Sequence, residues 1–137
     1  MEKYRVYAGI DLDAVRYNME SMHNNINKDT KIVAVEPKGV SALHGDGPGI
    51  HRIQGIGDGF IPEVLDTKLI TDVVEVSDED AIETARELAR VQGLLVGVSS
   101  GANIWTAKQM AEKYGKDKVI VTILPDRAER YFSTGLL

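Results

Sequence analysis

Two short apolar runs, Leu94–Val98 and Val119–Leu124, constrain this chain more than any other feature. Each is shorter than an ordinary helix, and apolar at successive positions, so both faces of an extended strand need cover. Runs of this kind belong to parallel sheets sandwiched between helices. Segments of helical period alternate with them. Ser77 caps one such helix, with Asp78, Glu79 and Asp80 in its first turn and Ala81, Ile82, Ala85, Leu88 and Ala89 as its buried stripe. Gly93 suits its C-terminal stop. A second helix is predicted over Ala102–Tyr114, with Ile104, Ala107, Ala111 and Tyr114 at helical spacing and Gly115 at its end. Upstream, strands are predicted at Tyr4–Ile10, Lys31–Val35 and Asp72–Val76. A helix capped by Asp13 carries Val15, Met19, Met22 and Ile26. Strand–helix alternation implies an α/β fold, a mostly parallel sheet flanked by helices.

A chain of 137 residues fits one domain with a real core. It contains no cysteine, which removes disulfides, thiolate metal sites and Cys nucleophiles. A net charge of −5 argues against nucleic acid or anionic membranes as partners. No apolar run approaches a membrane span, and Met1-Glu2-Lys3-Tyr4-Arg5 has no apolar signal core behind it. A cytoplasmic protein is expected.

The alternation dissolves between Pro37 and Asp66, where seven glycines from Gly39 to Gly59 fall with Pro48 and Pro62. A loop this long is usually functional or disordered. Turns near Ile53–Ile56 and Glu63–Leu65 are expected to break it up. Gln54-Gly-Ile-Gly-Asp-Gly-Phe60 lets a backbone approach a ligand closely, but it lacks nucleotide-loop spacing and reads equally as a flexible turn. At the other end, Ser99-Ser100-Gly101 follows an apolar strand and opens a helix. Strand ends in open α/β sheets are where ligands bind, and a Ser99 hydroxyl suits a heteroaromatic nitrogen; a plain serine cap is the alternative. His23, His44 and His51 lack the companions a metal site needs. The pairs Asp11/Asp13 and Asp78/Asp80 are explained as helix caps. Trp105 reads as a core or interface residue, and Lys38, after a strand end, as a loop lysine rather than a Schiff-base former.

From Lys31 onward the chain resembles the C-terminal part of cysteine synthase, a fold-type II pyridoxal-phosphate enzyme. The segments that carry this are Lys31-Ile-Val-Ala-Val-Glu-Pro37, His51 to Leu65, Val73-Val-Glu-Val-Ser77, Gly93-Leu-Leu-Val-Gly-Val-Ser-Ser-Gly-Ala-Asn103 and Thr122 to Thr134, in the family's order. The resemblance implies that Ser99 bonds the pyridine nitrogen of pyridoxal phosphate. It also implies that Gly57 and Phe60 line the active-site mouth, with Asp58 where relatives commonly carry a small residue.

Residues 3–35, beginning Tyr4-Arg-Val-Tyr-Ala-Gly-Ile-Asp-Leu-Asp13, resemble instead the start of an alanine racemase. That family's lysine would align with Pro37, which leaves Lys38 one place out of register. The chain is thus expected to be a hybrid within one domain over 1–137: a racemase-like βα unit over 1–30 and a cysteine-synthase-like segment over 31–137. By resemblance its function is β-replacement of acetate on O-acetylserine by sulfide. The Schiff-base lysine and the phosphate loop fall in segments that are missing, so no catalytic residue is assigned and the chain alone is expected to be inactive. The alternatives are a non-catalytic module that binds the tail of serine acetyltransferase, and residual racemase character. Unpaired sheet edges, and a helix face bearing Trp105, lead to an expected homodimer or larger assembly.

Overall fold

The computed structural model of the chain describes Tyr17, Ser21 and residues 29–134. Within the expected Asp13-capped helix only Tyr17 and Ser21 are described, both helical. The predicted strand at Tyr4–Ile10, Asp11, Asp13 and His23 lie outside the described residues.

Strands β1 (Val33–Pro37) and β2 (Asp72–Val76) form a parallel pair, in register from Val33 opposite Asp72 to Pro37 opposite Val76. Valines at alternate positions suit the pleat. Pro37 has no N–H to give, and it stands at the strand's last position, where the Lys38 N–H carries the ladder on to the Val76 carbonyl at 2.9 Å. The long connection between them holds one-turn 3-10 helices at Ala42–His44 and Thr67–Leu69, and turns at Gln54–Gly55 and Glu63–Val64.

Helix α1 (Asp78–Glu87) starts as its sequence dictates. Ser77 Oγ accepts the Asp80 N–H at 3.1 Å and donates to the Asp80 carboxylate at 2.6 Å, a reciprocal cap. Asp78 accepts the Arg52 N–H at 2.9 Å, which ties the glycine-rich loop to the helix start. At Leu88–Gln92 the helix widens into a π-turn, and Gly93 closes it at φ +68°.

Helix α2 (Val98–Tyr114) begins four residues before the predicted Ala102. Ser99, Ser100 and Gly101 therefore occupy its first turn rather than a loop ahead of it. The reason is packing. Gly101 lies directly on α1, where an added methyl group would overlap the Ala81 carbonyl oxygen and sit 3.0 Å from Ala85 Cβ. Ala81, Ala85 and Ala102 are buried around this contact, so the helices meet along small residues at backbone distance. The core continues through Ile53, Val76, Ile82, Leu88, Val96, Val98, Ala128 and Tyr131, with Trp105 packed partly buried against it. Lys113, near the end of α2, pairs with Asp72 at the start of β2; this hydrogen bond, ahead of the ammonium's charge, holds the Asp72 carboxyl below its usual range.

The two apolar runs part from expectation. Leu94 and Leu95 are exposed, and only Val96 is bridged, antiparallel to Arg127. Val119 and Val121 are 89% and 85% exposed, and residues 119–124 form no ladder with any described residue. A strand needs a neighbour for its N–H and C=O groups, and among the described residues neither run has one beyond that single bridge. The parallel α/β class stands, with two of the expected strands laddered.

Gly101→Ala should lower the urea midpoint by the equivalent of about 1–3 kcal/mol, the usual cost of overpacking a tight contact. An unchanged midpoint would show that the helices do not meet there as described.

Candidate functional site

The residues singled out by sequence gather around two places, the N-terminus of α2 and the glycine-rich loop. At α2 the N-cap is Gly97, with no side-chain cap. The Gly101 N–H bonds the Gly97 carbonyl at 3.2 Å, but the N–H groups of Val98, Ser99 and Ser100 have no acceptor among the described residues. Ser99 is buried, and Ser100 is fully buried with its Oγ unpartnered. A helix start with free donors attracts electron-rich atoms, through its dipole and through the bonds it still has to give.

The segment after Pro125 closes one side of this site. The Gly97 N–H donates to the Asp126 carbonyl at 3.2 Å, and the Ala128 N–H to the Leu95 carbonyl at 3.2 Å. These bonds flank the Val96–Arg127 bridge. Asp126 presses one carboxylate oxygen, Oδ1, against Gly97; that oxygen is buried and unpaired. Its other oxygen accepts the Tyr131 phenol proton. Sequence reading missed Asp126 and Tyr131 as parts of the site, because a Pro-Asp-Arg turn on its own reads as an ordinary loop.

In the loop, His51 is a structural clamp. Its Nδ1 accepts the Ile53 N–H at 3.2 Å, so the proton sits on Nε2, which donates to the Gly57 carbonyl at 3.2 Å. Gly57 is held at φ +75° with Pro37 pressed on it; a methyl group there would lie 2.5 Å from Pro37 Cγ. Ile53, expected only as part of a turn, is fully buried in the core. The loop is thus pinned to the end of β1, and Phe60 projects beyond it, 63% exposed, with Asp58 also exposed.

The remaining candidates have ordinary roles. His44 Nδ1 pairs with Glu75 at 2.7 Å on the surface, while the expected capping pair Asp78 and Asp80 leave the cap to Ser77, their carboxylates accepting from the Arg52 N–H and the Ser77 hydroxyl. Lys38 is exposed at the end of β1. Among the described residues no group of three or more His, Asp or Glu is placed to hold a metal ion, and no helix is long and apolar enough to cross a membrane.

This fold and site define a class. The chain belongs to the pyridoxal-phosphate dependent enzymes, whose family model matches residues 15–126. The match takes in residues 15–30, part of the segment that the sequence reading assigned to a racemase-like unit. Within the family its relatives include cysteine synthases. The Staphylococcus aureus cysteine synthase is 45% identical over 106 residues, 77% of this chain and 34% of that protein. Cysteine synthase B of Campylobacter jejuni is 52% identical over 105 residues, again 77% and 34%. The crystal structure of the Entamoeba histolytica cysteine synthase superposes with a TM-score of 0.80 at 38% identity, covering 86% of this chain and 35% of that one. The chain spans about a third of the length of these relatives.

The family's cofactor is pyridoxal phosphate. The donor set fits one end of it. A pyridine nitrogen is an acceptor suited to a small hydroxyl, and the orphaned Ser100 Oγ and unpaired amides mark a helix start with hydrogen bonds still to make.

The Tyr131 phenol titrates above its ordinary 10.0, first because it donates to Asp126, then through burial and the carboxylate's charge. Pairing therefore stabilises the fold fully below about pH 10, and that contribution is lost as pH rises through the raised value. In an absorbance titration of phenolate formation, Tyr131 should lag behind free tyrosine. The lag should vanish in Tyr131→Phe and in denaturant; a lag that survives Tyr131→Phe would place the shifted phenol elsewhere.

Proposed function

We propose that this chain is the C-terminal portion of a cysteine-synthase-type site. In this reading it holds the ring-nitrogen end of pyridoxal phosphate and does not turn over substrate alone. The observation that carries the reading is the start of α2, where Ser99 stands in a Gly-Val-Ser-Ser-Gly turn with unpaired backbone donors beside it. Pyridoxal phosphate supplies the electron sink for chemistry at an amino acid's α carbon. The chain's own part is orientation. Ser99 Oγ donates to the ring nitrogen, the helix start favours electron density there, and the Asp126–Tyr131 pair shuts that side of the site. At the mouth, Gly57 lets the loop come close and Phe60 offers an apolar surface.

The substrate class in this reading is small O-acylated amino acids, with sulfide as the incoming nucleophile, in the cytoplasm. Proton removal and aldehyde capture need a lysine that the chain does not place. In a cysteine synthase that lysine comes from segments before the Val-Glu-Pro strand; in a racemase it would align with Pro37, and Lys38 is exposed one place further on. The likeness of the first residues to an alanine racemase belongs to the same proposal: one domain over 1–137, whose opening residues descend from a different cofactor enzyme and bring no base with them. A second reading, a binding module for the C-terminal tail of a serine acetyltransferase, is favoured by the exposed ring of Phe60 at the mouth.

Three measurements test the main reading. Reduction with borohydride in the presence of pyridoxal phosphate, followed by peptide mass spectrometry, should leave no stoichiometric phosphopyridoxyl lysine. Cysteine synthase and alanine racemase rates should both stay at background. A stoichiometric adduct on Lys38, with turnover lost in Lys38→Ala, would overturn it. Non-covalent uptake of pyridoxal phosphate, followed by equilibrium dialysis, should fall several-fold in Ser99→Ala; equal uptake by both forms would remove Ser99 from the site.

A further inference from the structure

An open groove of about 430 Å³ runs along α2, between β1 and the extended residues 119–122. Val33 and Val35 line one wall and Val119 and Val121 the other, with Ala107 and Met110 of α2 as the floor. Its α2 residues reach from Asn103 to Tyr114, about 16 Å along the helix axis. The two ends differ in charge. Asn103, whose side-chain amide holds the Ile123 carbonyl at 2.9 Å, and Thr122 make one end neutral. At the other, Lys31, Lys118 and Tyr114 line the opening, together with Asp29. The Lys31 ammonium stands 5.5 Å from the centre of the Tyr114 ring, as does that of Lys113. Lys113 is taken up by Asp72, whereas neither Lys31 nor Lys118 is ion-paired with a carboxylate among the described residues.

We propose that this groove binds a free long-chain carboxylate, a fatty acid of about twelve carbons, a length set by the span of α2 along the groove. Its chain lies against the valines, and its head group meets Lys31 and Lys118. An apolar cleft with a few polar groups at one end is the ordinary form of a small-molecule site. Val119 and Val121 are 89% and 85% exposed, so an alkyl chain laid on them removes much apolar surface from water. Each methylene covered in this way should tighten binding about four-fold. Charge fixes the direction of the ligand. Two ammonium groups without carboxylate partners, against the single carboxylate of Asp29, leave that end positive. An alkyl cation would meet like charge there. Both lysines are exposed, so their share of the affinity is modest and salt-dependent. A net charge of −5 disfavours an anionic membrane as the source, so the ligand is the free acid. The lysines stand at the opposite end of α2 from Ser99, and the proposal does not rest on the cofactor reading.

The test is calorimetric titration of the full chain with octanoate, decanoate and dodecanoate, each below its micelle concentration. Saturable one-to-one binding is expected, tightening about four-fold per added methylene. Decanol should bind several-fold more weakly than decanoate. That difference should vanish in the double variant Lys31→Gln, Lys118→Gln and persist in Lys31→Arg, Lys118→Arg. Val121→Glu should weaken dodecanoate at least ten-fold and leave the unfolding midpoint unchanged, because Val121 is 85% exposed. Ser99→Ala should bind dodecanoate as the parent chain does. Absence of saturable binding overturns the proposal. So does equal affinity for decanoate, decanol and decyltrimethylammonium, which reduces the groove to apolar contact with no head-group site. A homodimer that excludes dodecanoate assigns the groove to a second copy and also overturns it. Co-sedimentation with phosphatidylglycerol vesicles, without binding of free dodecanoate, assigns the groove to a membrane surface instead.

Discussion

The contact of Gly101 with the Ala81 carbonyl sets the rest of the molecule. It brings α2 onto α1 at backbone distance, and any larger residue would push them apart. Because the contact falls in the first turn of α2, it also fixes where that turn points. Ser99, Ser100 and their free N–H groups are aimed by a helix packed on its neighbour rather than by a loop. A hydroxyl on a buried, rigid element is held with little error in position, which is what the proposed bond to a ring nitrogen would need. Ala81 and Ala85 thus serve a site that neither occupies.

A second anchor, Pro37, works at the opposite end of β1. It ends the strand, and it is the surface on which Gly57 rests. The His51 clamp keeps Gly57 there through one accepted and one donated bond. A loop with seven glycines is in this way held by His51, the buried Ile53 and Pro37, together with Asp78 on the Arg52 N–H. The strand that carries the family's first recognisable segment therefore also positions the loop proposed as the mouth.

Helix α1 with its caps, the Gly115 end of α2 and the parallel pair were legible in the sequence, because each rests on local chemistry. Ser77 with Asp80, Gly93 and Gly115 act over a few residues. What the sequence misplaced depends on distant partners. Leu94–Val98 and Val119–Leu124 have the composition of covered strands, but composition cannot supply the neighbour that completes a ladder. Ala102 read as the helix start because Ser-Ser-Gly is a poor interior sequence; the proximity of α1 outweighs that propensity. Ser99, Gly57 and Phe60 are proposed as site residues through family likeness alone. Asp126 and Tyr131 were not, since their role comes only from folding back onto Gly97.

The π-turn at Leu88–Gln92 fits one residue more than a regular helix would into the close of α1. Leu88 stays buried in the core while Val91 turns outward, and Gly93 is delivered at the angle from which the chain crosses to Val96. This stretch is a spacer of fixed length. Natural variation there should be by substitution and not by insertion or deletion. Losing one residue would regularise the helix yet rotate everything downstream by about 100°, through the 3.6-residue helical period, and so turn the start of α2 away from its seat on α1.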